Sequence, residues 1–178
     1  MQTLYLIRHT LPDIAPGICY GQLDLKTADS FTAEAAEVLH CLPPVELFIT
    51  SPLLRARRLA EHLAQAQQRE LRRDARLMEK HFGAWEGKAW DDIPRHEIDA
   101  WAADVMGYAP PGGESAQQLL QRAQETLHAA ARLPQRHIAL VAHGGSIRAL
   151  LALLGEVPLA QTLGWEVEFG AVVGVRIS

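Results

Sequence analysis

Short apolar runs alternate along this chain with stretches in which apolar positions recur at helical spacing. The clearest runs occupy residues 4–7, 46–50 and 137–142, and polar or glycine-bearing sequence follows each one. Short continuous apolar runs are typical of strands that are buried on both faces of a parallel sheet. The pattern therefore predicts an α/β fold in three layers, with a mostly parallel central sheet flanked by helices.

Weaker patterns complete the predicted elements. Residues 71–77 predict a short third strand, and the alternating segments in residues 165–177 predict one or two closing strands. Residues 12–29 contain proline and glycine and predict a long functional loop. Residues 85–104 predict irregular and helical structure that is interrupted at Pro94.

Helix start signals separate the predicted strands. Ser115 and Gln118 have the spacing of a capping box, and an apolar stripe follows them. Proline is favoured at the first position of a helix, so Pro52 behind a Ser51 cap predicts another start. The predicted helices begin at Thr32, at Pro52, after Ser115 and at Gly144.

Length and composition indicate one domain over residues 1–178. The chain has 178 residues, of which 48% are hydrophobic, enough to bury one ordinary core. The net charge of −4 disfavours nucleic acid and anionic membrane as partners, because both are bound by concentrated lysine and arginine. The sequence leaves a homodimer open.

The chain also lacks a recognisable targeting signal. Its first apolar run is too short for a signal peptide, and no stretch is long enough to span a bilayer. Cys19 and Cys41 have no paired spacing, which favours free thiols in a reducing compartment. We expect a cytoplasmic protein.

Polar residues that could take part in catalysis or ligand binding follow three of the predicted strands. Arg8 and His9 close the first strand, Arg55 lies shortly after the second, and His143 follows the run at residues 137–142. Ligands of open α/β sheets bind beyond the carboxyl ends of the strands, where helix N-termini also favour anions. We therefore expect these side chains to converge.

The converging set of two arginines and two histidines suits a dianionic phosphate. Arginine grips phosphate oxygens in a bidentate manner, and neighbouring cations keep an imidazole neutral and able to attack phosphorus. No short-spaced set of metal ligands is present, so neither a metal nor a cofactor is expected. Taken singly, however, each residue is more often structural: a histidine at a strand end, or an arginine on an amphipathic helix.

Five motifs stand in order along the chain. They are Arg8-His9-Thr10, Ser51-Pro52-Leu53-Leu54-Arg55-Ala56, Leu77-Met78-Glu79 with the following Phe82-to-Gly87 turn, Pro111-Gly112-Gly113-Glu114-Ser115, and Val141-Ala142-His143-Gly144-Gly145. Together they resemble the motifs of the histidine phosphatase superfamily, which has the phosphoglycerate-mutase-like fold. The family usually has glycine where Thr10 stands here, a variation found among its small phosphatases.

This resemblance implies a role for each residue of the set. His9 would be the nucleophile that carries the phosphoryl group, and Arg8, Arg55 and His143 would complete the phosphate pocket with it. Glu79 would be the general acid that protonates the leaving oxygen and then activates water. Glu86 is the competing carboxylate, for which the Trp-Glu-Gly turn suggests a structural role. The implied partner is a small phosphorylated metabolite.

The resemblance also bears on the reaction and the substrate. The superfamily's mutases are longer, so a chain that ends soon after its last predicted strand favours a phosphatase over a mutase-like enzyme. Residues 17–24 resemble the loop of the α-ribazole phosphatases of cobalamin synthesis, which makes Tyr20 and Gly21 a candidate substrate loop. A broad-specificity phosphatase is the alternative, and a non-catalytic phospho-ligand-binding domain is disfavoured because binding alone requires neither His9 nor Glu79.

Overall fold

Five strands and five α-helices make up the computed structural model, which describes residues 1–155 and 157–177. The strands are β1 (Gln2–Arg8), β2 (Leu47–Thr50), β3 (Glu70–Arg73), β4 (His137–Ala142) and β5 (Val172–Ile177). The helices are α1 (Phe31–Cys41), α2 (Leu54–Gln67), α3 (Arg95–Ala103), α4 (Ala116–Ala131) and α5 (Gly144–Leu154). Short 3-10 turns lie at Ala75–Leu77, Gly83–Trp85, Trp90–Asp92 and Leu159–Thr162.

The five strands form one mixed sheet in the order β3-β2-β4-β1-β5. β4 pairs in parallel with β1 on one side and with β2 on the other, and β2 pairs in parallel with β3. Only the edge strand β5 runs antiparallel, along β1. The carboxyl ends of β1, β2 and β4 therefore lie side by side at one edge of the sheet.

Two apolar cores cover the faces of this sheet. Leu6, Leu140 and their neighbours face the helices α4 and α5, where Leu119 and Leu150 pack against them. Ile7 and Val141, one position further along each strand, belong to the opposite core with residues of α1 and α2. Successive side chains of a strand point to opposite faces of the sheet. A central strand that is covered on both faces therefore has a continuous apolar sequence. This arrangement confirms the predicted three-layer α/β fold.

The structure corrects two of the predicted elements. The third strand is β3 alone, and residues 75–77 instead form a 3-10 turn that Asp74 caps by accepting a hydrogen bond from the Arg76 amide. Of the one or two closing strands that were predicted, the structure has one, β5, preceded by loop and turn structure. The capping box at Ser115 and Gln118 is confirmed, with both hydrogen bonds in place.

The second correction concerns the start of α2. This helix begins at Leu54, so Ser51 and Pro52 precede it and the predicted Ser51 cap is wrong. Asp24, which is distant in sequence, accepts a hydrogen bond from the Leu54 amide at 2.7 Å instead. The loop of residues 12–29 thus supplies the acceptor that the helix terminus requires.

Both cysteines are free thiols, Cys19 buried and Cys41 exposed. Across the described residues, none of the helices has the length and apolar character needed to cross a membrane.

Candidate active site

Three neighbouring strands place the candidate side chains at the same edge of the sheet. His9 directly follows β1, Ser51 follows β2, and His143 follows β4. The rings of His9 and His143 have centroids 5.0 Å apart. Arg55, in the first turn of α2, donates a hydrogen bond from Nε to Nε2 of His9 at 3.3 Å. The structure therefore brings these residues together.

His9 is held in one tautomer. Its Nδ1 lies 2.7 Å from the carbonyl oxygen of Thr10, and a carbonyl only accepts, so Nδ1 carries the proton and Nε2 is unprotonated. Burial, followed by the charge of Arg55 and then that of Arg8, lowers the pKa of His9 to about 3, against the opposing hydrogen bond to Thr10. The imidazole is consequently neutral near neutral pH, with Nε2 facing Arg55.

Arg55 is fully buried and is fixed by the loop of residues 12–29. Its terminal nitrogens donate to the carbonyl oxygens of Leu23 at 2.7 Å and Gly21 at 2.6 Å. The ring of Tyr20 lies 5.1 Å from the guanidinium carbon. Burial lowers the pKa of Arg55, although the charge of Glu79 and other nearby acids acts in the opposite direction. The side chain nevertheless stays charged, as arginine does in proteins.

Gly21 occupies a position that admits only glycine. Its φ is +40°, and an added Cβ would overlap the Glu86 carboxylate and lie 2.8 Å from the Lys80 carbonyl oxygen. The chain can therefore pass close to Glu86 while its carbonyl group faces Arg55. The candidate substrate loop, Tyr20 and Gly21, thus contacts the site through Arg55.

Arg8 lies at the same edge of the sheet, and the segment before β5 covers it. Its Nη1 donates to the carbonyl oxygen of Val167, and its guanidinium carbon lies 3.9 Å from the centroid of the Phe169 ring. The Phe169 ring also lies 5.6 Å from that of His9. The segment before β5 therefore forms a wall of the site that the sequence analysis did not anticipate.

His143 is completely buried at the junction of β4 and α5. Its Nε2 shares a 2.8 Å hydrogen bond with Ser51 Oγ, and its backbone amide donates to Ser146 Oγ at 3.1 Å. Burial, and then the charges of His9, Arg55 and Arg8, hold the pKa of His143 well below its usual value. Helix α5 begins at the next residue, and its N-terminus adds the positive end of a helix dipole.

Glu79 reaches the N-terminus of α5 from the segment after β3. Its Oε2 accepts a hydrogen bond from the Gly145 amide at 2.9 Å, and its Oε1 accepts one from the Lys80 amide at 2.8 Å. An added Cβ at Gly145 would overlap Oε1, so the absence of a side chain there makes room for the carboxylate. Glu79 is therefore positioned beside the helix terminus that follows His143.

Glu86, the competing carboxylate, braces two backbone segments. Its Oε1 accepts hydrogen bonds from the amides of Gln22 and Phe82, both at 2.9 Å. These contacts tie the loop of residues 12–29 to the segment that carries Glu79. Glu86 therefore has the structural contacts suggested by its position in the Trp-Glu-Gly turn.

Arg122 also holds the segment that carries Glu79 in place, and the sequence analysis missed it. Paired with Glu114, it donates to the carbonyl oxygens of Met78 at 3.1 Å and Glu79 at 3.3 Å. Glu114 lies in one of the quoted motifs, but its partner eight residues later, on α4, had no signal of its own. Among the described residues, no group of three or more histidine, cysteine, aspartate or glutamate side chains could hold a metal ion.

Fold and site together define an α/β protein with two arginines and two histidines grouped at the carboxyl edge of its sheet. Residues 4–178 match the histidine phosphatase superfamily (branch 1), and the chain belongs to this superfamily. It is 35% identical over 174 residues to a glucosyl-3-phosphoglycerate phosphatase of Mycobacterium tuberculosis (strain ATCC 25618 / H37Rv), an alignment covering 88% of this chain and 77% of the relative.

Solved structures agree with this assignment. The structure of a mycobacterial glucosyl-3-phosphoglycerate phosphatase complexed with VO3 has a TM-score of 0.81 and 31% identity, covering 98% of this chain and 92% of that one. The α-ribazole phosphatase of Shigella flexneri has a TM-score of 0.91, covering 99% and 91%, but only 23% identity, so it supports the fold alone. The predictions of a phosphoglycerate-mutase-like fold and of a phosphatase are confirmed.

Proposed function

We propose that this chain hydrolyses phosphomonoesters by carrying the phosphoryl group on Nε2 of His9, with residues 1–178 acting as one phosphatase domain. The observation that carries the proposal is the hydrogen bond from Nδ1 of His9 to the Thr10 carbonyl oxygen, because it leaves Nε2 unprotonated. The pKa of about 3 supports the same conclusion, since a neutral imidazole is the nucleophilic form.

In the first step, Nε2 of His9 attacks phosphorus while the bond from phosphorus to the alcohol oxygen breaks. The guanidinium groups of Arg8 and Arg55 bind the phosphate oxygens as charge-assisted donors, and His143 with the N-terminus of α5 stabilises the charge that develops on them. The proximity of the His9 and His143 rings and the contact between Arg55 and Nε2 support this division of roles.

Glu79 transfers the protons in both steps. It gives a proton to the departing alcohol oxygen, because an alkoxide is a poor leaving group. As a carboxylate, it then takes a proton from the water that attacks phosphorus while the bond from His9 to phosphorus breaks. Its place beside the N-terminus of α5, which follows His143, supports this role, whereas the hydrogen bonds of Glu86 join the loop of residues 12–29 to Phe82.

The substrate is a small phosphorylated metabolite, and two candidates have support. α-Ribazole 5′-phosphate is favoured by the resemblance of residues 17–24, where Tyr20 lies against Arg55 at the rim of the pocket. A glycosylated phosphoglycerate is favoured by the mycobacterial relative, which aligns over most of both chains. Broad specificity and residual mutase activity are the alternatives to a single substrate, and cytoplasmic location and homodimer formation stay predictions.

The experiment that tests this function compares p-nitrophenyl phosphate hydrolysis by the wild type and His9→Ala. We expect the variant to lose essentially all activity, and the wild type to form an alkali-stable, acid-labile phosphoenzyme that His9→Ala does not form. His128→Ala is the matched control, because His128 is exposed on α4. Equal activity in the wild type and His9→Ala would refute the covalent mechanism. Assays with the two candidate substrates then identify the preferred one.

A further inference from the structure

A cavity of about 320 Å³ adjoins the candidate active site on the side of Glu79. Glu79 and Gly145 form its boundary with the site, and Trp90 and Trp101 contribute aromatic walls. The proposed proton donor of the leaving oxygen thus lines this cavity. The group attached to that oxygen would therefore extend into it.

Two cationic side chains line the same cavity, Lys80 and Arg148. Lys80 is only 6% exposed, and its Nζ lies 5.1 Å from the ring centroid of Phe82 and 5.5 Å from that of Trp101. Within the described part of the chain, no carboxylate forms an ion pair with Lys80 or with Arg148. Lysine residues with so little exposed surface are ordinarily paired, so the absence of an ion pair at Lys80 is unusual.

A further donor in this cavity lacks a partner. Nε1 of Trp101 is buried and makes no hydrogen bond to any described residue. The one carboxylate on the wall, Glu79, already accepts hydrogen bonds from the amides of Gly145 and Lys80. The cavity therefore offers positive charge, an N–H donor and aromatic surface. It has few hydrogen-bond acceptors for a ligand.

We propose that this cavity binds the alcohol portion of the substrate, and that this portion carries a ring and a carboxylate. The carboxylate pairs with Lys80 and Arg148, and the ring packs on Trp90 and Trp101. Lys80 is thereby a specificity-determining residue. This inference rests on the proposed function, because it assigns the cavity to the leaving group of the same reaction.

The alternative is that Lys80 serves packing alone through its contacts with Phe82 and Trp101. A pair of isosteric substrates separates the two explanations. The first is 4-carboxyphenyl phosphate, and the second is 4-carbamoylphenyl phosphate, in which a neutral amide replaces the carboxylate. The measured quantity is the ratio of kcat/KM for the charged substrate to kcat/KM for the neutral one.

We expect the wild type to favour the carboxylate by about tenfold or more, since charge-assisted hydrogen bonds are roughly twice as strong as neutral ones. Lys80→Met should bring the ratio close to one, mainly through a higher KM for the charged substrate, and Lys80→Arg should restore much of it. Arg148→Met should lower the ratio partially. Lys88→Met is the matched control, because Lys88 is exposed on the same segment, and should keep the wild-type ratio.

A wild-type ratio near one would overturn the assignment of the cavity, and so would a Lys80→Met variant that keeps the wild-type ratio. If Lys80→Met fails to fold, as judged by thermal denaturation, the wild type and Arg148→Met decide the question. In all of these cases hydrolysis itself continues, so the proposed function stands. That function fails separately, if His9→Ala hydrolyses both substrates as the wild type does.

Discussion

The amide of Gly145 donates a hydrogen bond to Oε2 of Glu79 at 2.9 Å, and the space that a Cβ would occupy at Gly145 is filled by the other carboxylate oxygen. A backbone position on α5 thus determines where the proposed general acid lies. The same helix begins immediately after His143. The proposed acid and the proposed phosphate pocket are therefore positioned relative to one another by one helix.

Gly145→Ala should displace the Glu79 carboxylate without unfolding the protein, because the group in the way is the end of a side chain and alanine favours helices. We expect kcat for alkyl phosphates to fall roughly 10²-fold, the cost of misplacing a reacting group by about 1 Å. Steady-state kinetics and thermal denaturation measure the two effects. Gly164→Ala is the control, since a Cβ there meets nothing within 4 Å. Unchanged kcat in Gly145→Ala would contradict the positioning of Glu79.

Glu79→Gln should slow hydrolysis according to the leaving group. We expect kcat for alkyl phosphates to fall about 10²–10⁴-fold, because these alcohols need a proton to depart. With p-nitrophenyl phosphate the first step should survive and the phosphoenzyme should accumulate, since water is no longer activated. Rapid-quench assays under alkaline conditions would measure this accumulation.

Glu86→Gln is the matched comparison for Glu79→Gln. Glu86 accepts two backbone hydrogen bonds, so its variant should be less stable but should show no dependence on the leaving group. The opposite outcome, with leaving-group dependence in Glu86→Gln only, would assign the acid role to Glu86.

The buried histidines predict how stability depends on pH. The pKa of His9 is about 3 in the folded protein and that of His143 is also well below 6.5, so below pH 6.5 the unfolded state binds more protons. The free energy of unfolding should therefore fall as the pH decreases from about 7 to about 5, by about 2 kcal/mol for His9. Urea denaturation at several pH values measures this slope.

Substitution of His9 isolates its share of this pH dependence. His9→Ala should have a shallower slope than the wild type, whereas His128→Ala, at an exposed position, should retain the wild-type slope. If His9→Ala and the wild type lost the same free energy between these pH values, His9 would titrate normally in the folded state.

Chelation should leave hydrolysis unchanged. The charge of the phosphate group is balanced in the proposed pocket by Arg8 and Arg55, and no group of metal ligands occurs among the residues that the structure describes. Hydrolysis of p-nitrophenyl phosphate before and after dialysis against EDTA measures this directly. Loss of activity that added Mg²⁺ restores would show that the reaction depends on a metal.

The fold and the central residues of the candidate site could be predicted from the sequence because the patterns that mark them are local. Each buried strand is a continuous apolar run, and Arg8, His9 and His143 stand directly at strand ends, where topology alone brings them together. The capping box at Ser115 is equally local, because its two hydrogen bonds join residues three positions apart.

Contacts between distant segments could not be predicted in this way. The amide of Leu54 at the start of α2 donates to Asp24, thirty residues earlier, and Ser51 shares a hydrogen bond with His143. Phe169 covers Arg8 from the far end of the chain. Neither pairing has a periodicity or spacing that marks it, because the partners meet only when the sheet has assembled.

The strand order has a consequence for synthesis on the ribosome. β1 is the first strand to emerge, yet its two neighbours in the sheet are β4 and β5, the last two. β1 and β2 do not pair with each other, so the nascent chain has no continuous central sheet until residues 137–142 have left the exit tunnel. Until then β1 is an apolar strand with two open edges, a segment prone to aggregation and suited to chaperone binding. His9 acquires its surroundings only after β4 and β5 have been synthesised.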